Sequence, residues 1–189
     1  MKTPTKTPTK TTSKIAPKMP PEKGQTASLL IFLMTGLSSL IFFSCVTVNL
    51  TPKIGKSENL SYQPPREPFE AIKSAGADQA WQDKKFGNSI SFLTACNDPA
   101  DPSLESIERD LLGSFESFKI LSSERAFFDG RESRKVQAEG IVDGIATKIE
   151  LLVFKKNNCS YSLSYVAVAN NFEQDLPTFH KFLESFKAQ

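Results

Sequence analysis

The sequence predicts an α+β domain: a mainly antiparallel sheet of about six strands in the order ββαββββα, with two helices packed on one face. Three observations predict it. Asp129-Gly130, Asp143-Gly144 and Asn157-Asn158 are two-residue turn signals set about one strand apart. Apolar and polar residues alternate with period two between them. Two apolar stripes at helical spacing, one before this run of strands and one after it, supply the helices.

In chain order, the first hairpin comes from AWQDKKF and SISFLTAC on either side of Gly87-Asn88, a pair that tolerates positive φ. Ile90, Phe92, Thr94 and Cys96 then share a face of its second strand. In NDPADPSLESIERDLLGSF, Asp101 reads as an N-cap and Pro102 as the first helical residue. Leu104, Ile107, Leu111, Leu112 and Phe115 line one side of the resulting helix of about three turns. Four strands come next, over 118–128, 132–142, 145–155 and 159–168, joined as a meander. Ile145, Thr147, Ile149, Leu151 and Val153 share a face of the third; Cys159, Tyr161, Leu163, Tyr165 and Ala167 share a face of the fourth, leaving Ser160, Ser162 and Ser164 on its wetter side. The closing EQDLPTFHKFLESFKAQ carries Leu176, Phe179, Phe182, Leu183 and Phe186 as a helical stripe that must cover the sheet. Ahead of the first hairpin, EAIKSAGADQ reads as a short helical turn.

The chain begins very differently. Residues 1–26 hold six lysines against one acid, Glu22, among Thr and Pro, a disordered basic tail with too little apolar surface to offset chain entropy. Residues 27–44, ASLLIFLMTGLSSLIFFS, carry no charge at all. An ordinary core helix would show polar positions near period 3.6, so a basic flank leading into this run reads as an export segment. It is either a signal peptide removed before Cys45 or a signal anchor kept in the bilayer, which about 20 apolar residues suffice to cross. The ending IFFSC resembles the lipobox of bacterial lipoproteins, which implies that Cys45 is acylated and becomes the new N-terminus. That family places Leu three residues before the cysteine and a small residue two before it, where this chain has Phe42 and Phe43; the departure bears on cleavage, not on export. Met19 is an alternative start that would leave MPPEKGQTAS as a short lead. In every case the lysines stay cytoplasmic and the chain beyond residue 45 reaches the periplasmic or extracellular side. Residues 45–68, with Pro52, Pro64, Pro65 and Pro68, read as anchor cysteine and Pro-rich spacer, leaving 69–189 as one domain.

The order ββαββββα over Gln79 to Gln189 resembles the PsbP-like superfamily, whose members include a lumenal subunit of photosystem II's oxygen-evolving complex and various bacterial envelope lipoproteins. The resemblance rests on element order and length, and no family site residue is carried across. It implies an accessory or binding role rather than catalysis, with no cofactor. Charge points the same way: from residue 69 onward 14 basic residues face 18 acidic ones, which opposes binding to a nucleic-acid backbone.

Candidate chemistry is sparse. With Cys45 lipidated, Cys96 and Cys159 form an even pair in an exported domain; they are a disulfide if their strands are antiparallel neighbours or are bridged across the core, and two buried thiols otherwise. His180 is the only histidine and falls on the helix side away from the phenylalanine stripe, a solvated position that suits neither a zinc site nor a triad. Asn97, Asp98 and Asp101 offer oxygen ligands for calcium, but their spacing matches no EF-hand and turn formation explains them more simply. Arg131, Arg134 and Lys135 are a basic cluster, either a solvated strand edge or a docking point for anionic headgroups or a partner's acidic surface. Trp81, Tyr161 and Tyr165 are core aromatics or the lining of a ligand groove. The expected role is a membrane-anchored, non-catalytic envelope module that binds an envelope protein or a small ligand. An exported hydrolase using carboxylates such as Asp98 and Asp101, and a signal-anchored structural tether, are the competing classes.

Overall fold

A computed structural model describes residues 53–189. The basic tail, the uncharged run and Cys45 lie outside the described residues. The described chain runs β1 (Leu60–Ser61), β2 (Phe69–Ile72), β3 (Gln79–Asp83), β4 (Ser89–Cys96), α1 (Leu104–Leu112), β5 (Ser117–Phe128), β6 (Arg131–Val142), β7 (Ile145–Lys156), β8 (Cys159–Val168), a 3-10 turn (Ala169–Asn171), α2 (Phe172–Ser185) and β9 (Lys187–Ala188). No helix among these residues is long and apolar enough to cross a membrane.

The α+β class and the antiparallel sheet are as the sequence predicts, with more strands. The main sheet has seven, ordered β2-β3-β4-β8-β7-β6-β5, every neighbouring pair antiparallel; β1 and β9 form a separate two-stranded ribbon. The meander β5 to β8 turns at Asp129-Gly130, Asp143-Gly144 and Asn157-Asn158, and all six residues have positive φ, the tight hairpin geometry whose twist matches that of the strands. The extra main-sheet strand is β2, drawn from the segment read as a helical turn. It pairs with β3 from Phe69↔Asp83 to Ile72↔Ala80. Four residues give no helical periodicity to read, and the buried Phe69 supplies the anchor that selects a strand.

Helix α1 starts two residues later than expected. Ser103, not Asp101, is its N-cap, accepting from the Ser106 amide, while Asp101 sits at φ +39 in the preceding turn.

The two helices lie on opposite faces of the sheet, not together on one. β7 is apolar at both parities. Ile149, Leu151 and Val153 pack with Leu112, Phe115, Val136 and Ala138 beneath α1. Leu152 and Phe154 point the other way, into a core built with Tyr161, Leu163, Tyr165 and the α2 residues Phe179 and Phe182. A central strand that is greasy on both sides needs cover on both, and α1, carried across β6 and β7 by the β4–β5 connection, fills only one. The α2 side is an aromatic stack in which Tyr62, Trp81, Phe92, Phe182 and Phe186 meet in edge and stacked pairs with centroids 5.1–6.5 Å apart. Burying each such ring contributes about 1.5–3 kcal/mol.

Tyr62 belongs to the stretch expected to be a free spacer. From Gly55 onward that stretch is part of the domain. Gly55 exchanges two backbone hydrogen bonds with Cys96, Leu60 and Ser61 pair with Ala188 and Lys187, and the Gln63 amide donates to Ser185 Oγ. Burial holds the Tyr62 hydroxyl above its ordinary pKa.

Candidate functional site

The structure joins Cys96 to Cys159 in a disulfide, with Cα atoms 3.9 Å apart. The pairing comes from the crossover that seats β8 beside β4, where the two cysteines stand directly opposite each other. The same crossover makes Ser91 and Ser164 hydrogen-bonded neighbours at 2.9 Å on the other face.

The basic cluster is divided by the pleat of β6. Arg134 shares a face with Val136 and turns toward α1, where its Nε donates to Glu108 Oε2 at 2.5 Å, Nη1 to Glu105 Oε1 at 3.3 Å and Nη2 to Ser123 Oγ at 2.6 Å. The hydrogen bond to Glu108 raises the guanidinium above its ordinary pKa against the opposing effect of burial. Arg134 is thus a brace between sheet and helix, its side chain only 17% exposed. Lys135 projects from the opposite face and Arg131 lies exposed at the strand's start. No single basic patch forms from the three.

Lys135 leads to a group the sequence did not single out. Glu150 on β7 is fully buried, and its carboxylate collects three side chains. Gln137 Nε2 donates to Oε2 at 2.6 Å; Lys135 Nζ and His180 Nε2 lie 3.2 and 2.7 Å from Oε1. His180 is therefore not merely a solvated surface residue: it stands on the flank of α2 that faces β7, half-exposed, with one ring nitrogen committed to Glu150. The sequence held a faint signal, since Glu150 shares parity with Leu152 and Phe154 and so occupies an interior position. Charge and hydrogen bonding are balanced around this carboxylate, which makes it a fastening of α2 to the sheet.

Asp98 and Asp101 do not converge. Asp98 Oδ1 accepts from the Ala100 amide as a turn, and Asp101 pairs with Lys155. Trp81, Tyr161 and Tyr165 are all buried in the core on the α2 side, and the Tyr165 hydroxyl donates to the Phe172 carbonyl. Burial first, and the nearby Asp175 second, push its pKa upward. None of the three lines a groove. Among the described residues no cluster of His, Cys, Asp or Glu could hold a metal ion.

A concavity opens on the other flank of α2. Gln63, Pro64, Pro65, Arg66 and Glu67 form one wall of a cleft of about 720 Å³, and Thr178, Lys181, Glu184 and Ser185 form the other, with Phe182 at its base. Its size lies in the range that holds a small ligand or a short peptide segment. The lining is two proline rings and a phenylalanine with one cation and one anion on each wall. That pattern suits recognition by shape and paired charges, and it brings no nucleophile next to a base. A second, smaller cleft of about 290 Å³ lies beside the strapped segment, between Lys56, Glu58 and Tyr62 and Asp78. There Asp78 is bound to Lys56 at 2.7 Å and accepts from both the amide and the hydroxyl of Thr94, so the polar groups serve the strap.

No protein-family model matches this sequence, and no curated protein matches it. Solved structures do match. The fold is similar to the solution structure of cyanobacterial PsbP (CyanoP) from Synechocystis sp. PCC 6803, with TM-score 0.53 at 12% identity over 78% of this chain and 99% of that one. It is also similar to the crystal structure of LpqN of Mycobacterium tuberculosis, with TM-score 0.51 at 10% identity over 68% of this chain and 82% of that one. At such identities the likeness is one of architecture. The described domain has a PsbP-like fold.

Proposed function

We propose that this chain is an envelope lipoprotein, anchored through Cys45, whose PsbP-like domain acts as a non-catalytic accessory module for an envelope protein or small ligand. The observation that carries the proposal is the order of parts: a lysine-rich lead, an uncharged run ending at Cys45, and a domain whose first backbone pairing among the described residues is at Gly55, ten residues later. The Cys96–Cys159 disulfide suits an oxidising compartment. LpqN, which shares the fold, is described as involved in cell envelope biogenesis, and that supports the same setting. The cleft between residues 63–67 and α2 is the binding site in this reading, because it sets Pro64, Pro65 and Phe182 among two cations and two anions in a space large enough for a ligand.

The test has two parts. Intact-mass analysis of protein from cells grown with and without a lipoprotein signal peptidase inhibitor should show an acyl adduct on a chain that starts at Cys45, and the uncleaved chain when the enzyme is blocked. A photoreactive residue at Thr178 should then capture one recurrent partner in membranes, and Lys181→Glu should abolish that capture. A full-length, unacylated chain in the cytosol would overturn the proposal, and so would capture that Lys181→Glu leaves unchanged.

A further inference from the structure

The strand order leaves two edges to the main sheet, β2 on one side and β5 on the other. They are guarded very differently. β2 has four residues, follows directly on Pro68 and carries Glu70 in an ion pair with Lys84, so it offers a further strand little to bind. β5 runs for twelve residues, is exposed at every position from Ser117 to Arg125, and among the described residues pairs only with β6. Phe118, Ile120 and Leu121 stand in that run, 41–44% exposed. A long, partly apolar edge is a template for one more strand.

The charges on β5 select which strand fits. Lys119 lies opposite Glu139 of β6 and Glu124 opposite Lys135, and those two β6 positions share a face. Lys119 and Glu124 therefore point to one face although their spacing is odd, because the register shifts at Leu121, between Ile120 and Ser122. In an unbroken strand they would point to opposite faces. Directly opposed residues of an antiparallel pair share a face, so the bulge lets two copies of β5 pair about a twofold axis perpendicular to the sheet, each Lys119 against the other copy's Glu124. The same register opposes Phe118 to Arg125 and Ile120 to Ser123, each again on a common face. Sliding by two residues in either direction puts both Lys119 and Glu124 opposite uncharged residues. An edge bulge ordinarily hinders a further strand; this one aligns the charges that choose it. Both charges are available for the task, since Glu124 has no ion pair among the described residues and Lys119 reaches Glu139 only at 3.9 Å.

We propose that β5 is a self-recognition edge: two copies of this chain join their sheets along residues 117–126, with two reciprocal Lys119–Glu124 pairs and Leu121 and Ser122 of both copies at the twofold axis. The eight opposed residue pairs flanking the axis supply about eight backbone hydrogen bonds, within the range of a typical protein interface. The pairing leaves the cleft beside α2 out of the interface and does not depend on the accessory role proposed above.

The test uses the full chain in intact cells, with Ser122→Cys beside the axis or, at the other edge, Ala71→Cys, and a short bismaleimide. Ser122→Cys should give a crosslinked dimer of the chain and Ala71→Cys none. In the Ser122→Cys background, Lys119→Glu or Glu124→Lys alone sets like charges against each other twice and should lower the dimer about tenfold. Lys119→Glu combined with Glu124→Lys should restore it. Within one chain these exchanges place like charges opposite Glu139 and Lys135, and those penalties add in the combined variant, so recovery arises only between copies. No dimer at position 122, equal crosslinking at position 71, or a different protein captured at 122 would each overturn the proposal. A dimer indifferent to the single reversals, or one that the combined exchange fails to restore, would overturn it as well.

Discussion

His180 Nε2 lies 2.7 Å from Glu150 Oε1, which ties the last helix to a carboxylate that no water reaches. The two ends of this contact are unequal, because Glu150 is fully buried while His180 and Lys135 remain partly in solvent. Removing the carboxylate as Glu150→Gln leaves partners that can hydrate and should cost about 1 kcal/mol. Removing both basic partners, as Lys135→Met with His180→Leu, strands a buried charge held by Gln137 alone and should cost about 3–5 kcal/mol. Urea unfolding of the two variants should show this order, and the reverse order would mean that Lys135 and His180 are not what holds Glu150 in place.

The Cys96–Cys159 disulfide closes a loop with sequence separation 63. In the chain-entropy account a loop of that length contributes about 4 kcal/mol. Cys96→Ala with Cys159→Ala should lower the denaturation midpoint accordingly, and unreduced protein should show no alkylatable thiol at either position. The Gly55 pairing with Cys96 should loosen in the same variant, read as faster hydrogen exchange at the Gly55 amide.

How much of the fold was readable from sequence depended on whether the cue was local. The three hairpin turns were readable because Asp-Gly and Asn-Asn adopt positive φ by their own chemistry, and the strands they join fall within a residue of their expected bounds. Arg131, Arg134 and Lys135 misled because nearness in sequence is not nearness on a pleated strand. Glu150 was hidden by neighbours that are apolar at both parities, which removes the alternation a reader relies on. Leu60 and Tyr62 are single apolar residues among prolines and polar groups, and only the finished aromatic core explains why they dock. The cleft beside α2 was invisible for that reason: one of its walls is the segment that looked like a spacer.

Gly140 marks the closest approach of α1's exit to the sheet. A Cβ built there would collide with the Ser117 carbonyl oxygen and stand 2.6 Å from the Phe115 ring. Backbone cannot yield as a flexible side chain does, so Gly140→Ala should cost about 1–3 kcal/mol. Phe115→Ala relieves only the contact with the ring, so the double variant should recover little of that loss. Thermal unfolding of the pair decides it, and a neutral Gly140→Ala would show that β5 can shift away from β6 at this point.

Asp129 gathers two lysines, Lys156 and Lys187, at the β5–β6 turn. Its Oδ2 accepts from Lys156 Nζ at 2.8 Å and from the Ala188 amide at 3.0 Å, fixing the β5–β6 turn to the end of β7 and to β9. Burial pushes its pKa up, but the Lys156 hydrogen bond, the Ala188 amide and the charges of Lys156 and Lys187 outweigh it and hold the carboxyl below its ordinary value. A carboxyl depressed by folding contributes stability that is fully present above its unfolded pKa of about 3.9 and is lost as pH falls through the lower folded value. The wild-type chain should therefore lose this contribution on acidification below about pH 4, whereas Asp129→Asn should be less stable by about 1 kcal/mol at pH 7 and show a shallower acid limb. Chemical denaturation across that range should find the two curves converging as pH falls through the lowered folded value. Curves that stay parallel would mean the turn is held by its backbone and not by this carboxylate.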